Sequence, residues 1–279
     1  MIASLQDSPH LRVFDMQHLA LQTDGPLATL TIERPEKHGA LSPRLIADLH
    51  EGLDELHQNQ HVRAVILASS GSTFCSGVDL SVLQEIRSLP EQDQLQQWFE
   101  YWRRFSELCE TFLRFPKPLI AAVGGPAIGA GFAVALSCDV IVASDDATFS
   151  AGAVRHGLVG GITAALLSFR AGTSLSARMS LTGNALTANA ANDAGLLCQP
   201  PVDSNQLIQT AQKWATESTH GSPQAIQATK RLINESIGET MLTQLAAAAA
   251  DSATACTTES AGEGIEAFLN KAAPPWQNT

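Results

Sequence analysis

Residues 117–150, KPLIAAVGGPAIGAGFAVALSCDVIVASDDATFS, decide how this chain folds. Leu119 to Val123 is an apolar run read as a buried strand. Gly124 to Gly131 is a glycine-rich turn, a short apolar helix follows, and Asp139 to Ala143 is a second buried strand. Gly124, Gly125, Gly129 and Gly131 carry no Cβ, so backbone can come close to a ligand there. The helix after the turn opens with unpaired N–H groups whose partial positive charge suits a developing anion. Two readings stand at this point: a ligand site built from backbone donors, or glycines serving only tight turns and close packing.

A strand, a glycine turn, a helix and a strand ending in Asp145-Asp146 also invite a dinucleotide-binding reading. That fingerprint needs glycines spaced G-x-G-x-x-G. Gly129-Ala130-Gly131 is followed by Phe132-Ala133-Val134, so the third glycine is missing. The helix spans only about two turns at ~3.6 residues per turn. The dinucleotide reading is set aside.

The 279 residues fit one large domain, or one domain with a helical appendage. With 44% hydrophobic residues the chain can bury a sizeable core. A net charge of −11 argues against nucleic acid and anionic membrane surfaces, though it leaves room for a local basic pocket. The five cysteines form no C-x-x-C pair, as expected of reduced thiols in a cytoplasmic protein. The start, MIASLQDSPHLR, has no continuous apolar core of the secretory kind. The alanine run 246–250 falls far short of the ~20 apolar residues that span a bilayer. No membrane association is expected.

Outward from the central stretch, residues 1–18 read as an extension, 19–202 as a strand-rich core and 203–279 as a helical region. Leu19 to Thr23 and Leu27 to Glu33 alternate around Gly25-Pro26 as a hairpin. Ser42-Pro43 is a helix start, with Ser as cap and Pro at the first helical position. Leu45, Ile46, Leu49, Leu53 and Leu56 then form one apolar stripe. Val62 to Ala68 is a buried strand leading into a second glycine loop, FCSGVDL at 74–80. From Leu80 to Phe115 the pattern is helical, broken near Pro90. The cluster Trp98, Phe99, Tyr101, Trp102 and Phe105 reads as core or subunit contact. Helices are expected over 162–170, 174–181, 187–194, 204–218, 222–236, 238–256 and 259–271.

Both glycine loops follow a buried strand and precede a helix, so parallel strands would bring their N–H groups to one sheet edge. Two such donors converging on one carbonyl oxygen make an oxyanion hole.

In this order and spacing the motifs resemble the enoyl-CoA hydratase/isomerase family, the crotonase superfamily. RPEKHGAL (34–41) is similar to the family's first-strand motif, and FCSGVDL to its F-C-A-G-A-D-L loop. KPLIAAVGGPAIGAG resembles K-P-x-I-A-A-V-x-G-x-A-x-G-G-G, and SCDVIVASDDATFS resembles C-D-I-x-x-A-x-x-A-x-F. LTGNALTANAANDAGLL (181–197) and TTESAGEGIEAFLNK (257–271) match the family's later motifs. The resemblance covers about residues 19–273 and implies an α/β fold, a crotonase-like spiral of β-β-α units with a helical C-terminal region. It also implies trimers or dimers of trimers, in which the helical region aids trimerisation and covers the pocket.

The ligand so implied is a coenzyme A thioester, as substrate or ligand, with no tightly bound cofactor and no metal. By motif position its carbonyl oxygen would meet the N–H groups of Val78 and Ala130, flanked by Ser76, Gly77, Leu80, Gly129 and Gly131. Lys37, His38 and Ala40 lie where the family's first loop passes the adenine and phosphates; Lys37 reads as a phosphate contact or a solvated lysine. Asp79 is expected to hold its loop by accepting backbone N–H groups. The two acid/base glutamates of the hydratases fall on Ala133 and Ala153, and Gly161 stands at the aspartate position of the dienoyl isomerases. Neither 127–137 nor 149–159 contains an Asp or Glu, so a register shift restores nothing. An alanine methyl moves no proton. His156 reads as a proton carrier or a non-catalytic histidine, Arg155 as a clamp for an acyl carboxylate or for a carboxylate at a subunit contact, and Cys75 as packing. Three readings remain: enolate chemistry without the glutamates, decarboxylation above all; a non-catalytic acyl-CoA carrier or sensor; or a hydratase/isomerase with a non-standard acid/base.

Overall fold

A computed structural model describes residues 16–237 and 239–277, so most of the expected 1–18 extension lies outside the described residues. The strands are β1 (Leu19–Asp24), β2 (Leu27–Ile32), β3 (Ala64–Ser69), β4 (Leu119–Val123), β5 (Ala127–Ile128), β6 (Val140–Ala143), β7 (Thr148–Ser150) and β8 (Leu186–Thr187). The helices of the first half are α1 (Pro43–Gln58), α2 (Leu80–Arg87), α3 (Glu91–Arg114) and α4 (Ala130–Ser137). Then come α5 (Gly161–Ala171), α6 (Thr173–Thr182), α7 (Ala188–Asp193), α8 (Leu207–Ser218), α9 (Pro223–Arg231), α10 (Glu239–Ala255) and α11 (Glu259–Leu269).

One sheet runs β1-β2-β3-β4-β6, with β1 antiparallel to β2 and the rest parallel. There is a second, shorter ladder. It comprises β5, β7 and β8, and it is continued by bridges Leu41↔Val78 and Cys75↔Ala127. Each turn of the chain therefore makes a long strand, a short strand and a helix, which is the expected β-β-α spiral. The glycine turn 124–131 is more structured than expected, because β5 forms inside it and pairs Ile128 with Ser150.

The local signals explain these elements. Ser42 Oγ accepts from Leu45 N at 3.2 Å and caps α1, whose stripe of leucines is buried. Pro90 separates α2 from α3 because it cannot continue a helix. Val65 and Leu67 face the main core, whereas Ala64, Ile66 and Ala68 face the other way and pack with Ile120, Ala122 and Val142 under Leu207, Ala211 and Ala215 of α8. Small residues on both partners let α8 lie close to the sheet. Both sheet faces are thus covered, which is why the strands read as continuous apolar runs.

The helical region does not form one layer. Whereas α8 sits on the sheet, α10 packs on α3 and α5, and α11 packs on α2. That arrangement settles the aromatic cluster. Trp98, Tyr101, Trp102 and Phe105 are buried inside the chain, with the Tyr101 hydroxyl donating to Leu41 O at 2.7 Å; only Phe99 is exposed. Leu245 is likewise buried and Leu242 partly so, so neither needs a partner subunit to cover it. The expected 222–236 helix changes to a π-helical turn over Leu232–Ile237. Among the described residues, no helix is long and apolar enough to cross a membrane.

Candidate functional site

Three loops lie side by side in register. Ser76 N donates to His38 O at 3.0 Å, Leu41 N to Gly77 O at 2.7 Å and Asp79 N to Leu41 O at 3.2 Å, joining 38–41 to 76–79. Phe74 N donates to Pro126 O at 3.0 Å and Ile128 N to Cys75 O at 2.9 Å, joining 74–75 to 126–128. The second junction is tight enough to require glycine. A Cβ on Gly77, whose φ is +93°, would lie 2.6 Å from Ile128 O and 3.3 Å from Ala130 N. A Cβ on Gly131 would lie 2.2 Å from Cys75 O.

This packing brings residues 77–78 beside the first turn of α4. Among the described residues nothing accepts from Val78 N–H, and Ala130 N–H belongs to the first helical turn, where intrahelical acceptors are lacking. Both residues line one cavity of about 970 Å³. Two free backbone donors on one cavity wall, at the foot of a helix, are groups of the kind that stabilise an oxygen gaining negative charge.

Asp79 holds the second loop from below. Its Oδ1 accepts from Ser81 N at 3.1 Å and from Ser81 Oγ, capping α2, and its Oδ2 pairs with Arg34 Nη1 at 2.8 Å. Burial alone would raise this carboxyl, but the Ser81 bonds and the Arg34 guanidinium outweigh it and bring it below the usual range. Arg34 Nη1 also donates to Ala40 O at 2.7 Å, so one ion pair fixes both loops. Cys75 is fully buried, its Sγ donates to Gly39 O at 3.0 Å, and burial pushes the thiol up to about 12. It is a packing residue with no thiolate to offer.

The cavity wall gathers Lys37, His38, Ala40, Ser76, Gly77, Val78, Asp79, Leu80, Gly129, Ala130, Ala153, Arg155 and His156, all singled out in the sequence. Two candidates stand elsewhere. Gly131 lies behind the wall, where it permits the contact with Cys75. Ala133 is fully buried and absent from the wall, so its methyl does not point at an acyl group as the motif alignment implies. Ala153 does face the cavity. Glu36 and Asp79 are the carboxylates on the wall; both lie outside the two glutamate positions, and Asp79 is already paired with Arg34.

His156 ends a 3-10 turn, Gly152–His156. Its ring meets Phe268 of α11 edge-on at 5.4 Å, and burial, aided by the Arg155 charge, lowers its pKa. It is a neutral imidazole at neutral pH and a weak base. Arg155 donates to Thr182 O (Nε, 3.1 Å) and to Asn184 Oδ1 (Nη2, 2.6 Å), rather than to a carboxylate.

One further part of the cavity wall was not legible as a site. Trp102 and Phe105 from α3, Leu158 and Ile162, and Ser252 from α10 form this largely apolar part. Their helical spacing signals burial equally well whether they face core or cavity. Ser252 hides in an alanine-rich helix, and its hydroxyl already donates to Ala248 O at 2.7 Å.

Known proteins share this fold. The enoyl-CoA hydratase/isomerase family pattern matches residues 22–279. The 1,2-epoxyphenylacetyl-CoA isomerase of Escherichia coli is 30% identical over 93% of this chain and 98% of its own length. The short-chain-enoyl-CoA hydratase of Clostridium acetobutylicum is 28% identical over 92% and 96%. An enoyl-CoA hydratase from Mycobacterium avium has a crystal structure that superposes with a TM-score of 0.80 at 29% identity, covering 93% of this chain and 99% of that one. For an enoyl-CoA hydratase/isomerase from Xanthobacter autotrophicus the TM-score is 0.84 at 26% identity, covering 94% and 97%. One relative is an isomerase and another a hydratase, so the likeness extends to the fold and the family rather than to one reaction. With the family pattern spanning all but the first 21 residues and the spiral and paired glycine loops in place, this chain belongs to the enoyl-CoA hydratase/isomerase family and has the crotonase fold.

Proposed function

We propose that the cavity binds an acyl-CoA thioester, its carbonyl oxygen accepting from Val78 N–H and Ala130 N–H, and that the chemistry is enolate stabilisation without a carboxylate acid/base pair. The carrying observation is the hydrogen-bonded junction of the two glycine loops, which leaves two backbone donors on one wall. Donors of this kind do not depend on side chains, so Val and Ala serve, each donor contributing ~3 kcal/mol to an oxyanion. Loss of CO2 is the reaction that fits best. The bond from the acyl Cα to a carboxylate carbon breaks, its electron pair passes to the thioester oxygen as an enolate, CO2 departs, and water returns a proton to Cα. No base is required. The alanines at both glutamate positions also favour the second reading, a carrier or sensor that binds without turnover.

Lys37 and His38 on the cavity wall are the groups offered to the CoA phosphates and adenine. Binding of a CoA ester with micromolar affinity, about −8 kcal/mol, is the expected calorimetric result. Incubation with enoyl-, dienoyl- and malonyl-type CoA esters followed by mass spectrometry then separates turnover from binding. Absence of heat and of competition with every ester overturns the reading.

A trimer or dimer of trimers, in the cytoplasm, accompanies this function. Leu181 (76%), Leu232 (58%) and Phe268 (52%) remain exposed in the single chain and are the apolar groups a partner would cover. Light scattering is expected to give a multiple of three of the 29.6 kDa chain; a mass equal to one chain at all concentrations contradicts it.

A further inference from the structure

We infer that the acyl group this site selects carries a carboxylate, received by Arg155; the inference rests on the acyl-CoA reading above and narrows it. Arg155 is held in place before any ligand arrives. Its Nε donates to Thr182 O at 3.1 Å and its Nη2 to Asn184 Oδ1 at 2.6 Å. The stem lies flat against the backbone of Gly183, where a Cβ would come 2.5 Å from Nε and 2.8 Å from Cδ. Glycine at 183, with φ of +67°, is therefore what admits the arginine. Its side-chain entropy is spent on these contacts before binding.

Arg155 is exposed in the single chain, and water rather than protein compensates its charge. Among the described residues no Asp or Glu forms an ion pair with Arg155. Its two partners are a carbonyl and an amide, both neutral, and neither engages Nη1. The other charged side chains on the cavity wall are accounted for differently. Asp79 is paired with Arg34, and Lys37 on the first loop is the group offered to the CoA phosphates. His156, next in sequence, is kept neutral by burial and by Arg155 itself.

The surroundings of the guanidinium complete a donor-rich flank. Asn184 spends its oxygen on Arg155, so its amide N–H groups are left for a ligand. Thr148 and Ser150 alternate with the buried Phe149 along β7 and lie on the wall of the same cavity. A planar, positively charged fork with neutral donors beside it matches a carboxylate in charge and geometry. An apolar acyl terminus reaching them would displace their water and replace none of its hydrogen bonds.

The test is calorimetry with matched esters: butyryl- against succinyl-CoA, hexanoyl- against adipyl-CoA, with malonyl-CoA and free CoA alongside. At least one carboxylated ester is expected to bind about tenfold or more tighter than its uncharged match. In Arg155→Met that ratio is expected to fall to about one; Arg155→Lys, which keeps the charge and loses the fork, should retain part of it, and Asn184→Ala should lower it. Equal binding of every matched pair by the wild type overturns the inference and leaves the acyl-CoA reading standing. So does a ratio that survives Arg155→Met while the oligomer mass shifts, since Arg155 would then serve a subunit contact. Failure of all esters and of CoA itself overturns both.

Discussion

Gly131→Ala is expected to lower CoA-ester affinity by about 10²-fold and to destabilise the fold. The added Cβ would lie 2.2 Å from Cys75 O and 2.7 Å from Cys75 C and Cβ, and most of that obstacle is backbone. Relief requires the loop at 74–79 and the start of α4 to separate. The two proposed donors, Val78 N–H and Ala130 N–H, sit one on each side of that junction. A shift of ~1 Å in a positioned group is enough for a 10²-fold loss, and overpacking costs about 1–3 kcal/mol of stability. Gly129→Ala is the comparison. Its φ of +53° strains a non-glycine residue, but a Cβ there meets nothing within 4 Å, so the cost is strain alone, of order 1–3 kcal/mol. Thermal melts and ester calorimetry on both variants decide the matter. A Gly131→Ala protein that binds CoA esters as the wild type does would mean that the site lies elsewhere.

The unmodified protein is expected to hydrate crotonyl-CoA no faster than background. Hydration needs a group to orient water and another to return a proton, and positions 133 and 153, to which the proposed reading assigns those roles, carry methyls. General acid–base help is worth 10²- to 10⁴-fold, about 3–5 kcal/mol. The two positions do not respond alike to restoration. Ala153→Glu adds a carboxyl on the cavity wall, whereas Ala133→Glu forces one into a fully buried place. Burial there would raise the carboxyl's pKa and destabilise the fold. A gain in hydration is therefore expected first from Ala153→Glu, with the double variant less stable than either parent. Vigorous hydration by the wild type, followed spectrophotometrically, would place the acid and base on other wall groups, such as Glu36 or His156.

The candidate residues differ in how far their sequence disclosed them. A glycine loop between a buried strand and a helix leaves a local imprint, missing side chains and then an apolar run, whereas Val78 and Ala130 themselves are implied by their place in the family motifs. The methyl of Ala133 moves no proton, and its place in the motif carries no information about burial. Its methyl turns into the core, behind the wall that Gly129 and Ala130 form. Trp102 and Phe105 show the opposite limit. Their spacing on α3 disclosed a buried face, and a buried face lines a cavity or a core by the same pattern.

By itself the sequence determined the order of the five main-sheet strands and of the longer helices, the break at Pro90, the cap at Ser42 and the absence of Asp and Glu from 127–137 and 149–159. These are local properties, written in neighbouring residues by periodicity, capping and side-chain chemistry. Only the tertiary structure decided that α10 covers the aromatic face of α3, that Gly183 makes room for Arg155, and that Asn184 and Thr182 hold it. Each of those contacts joins residues whose separation in the chain carries no periodic signal, and each depends on how the turns of the spiral stack.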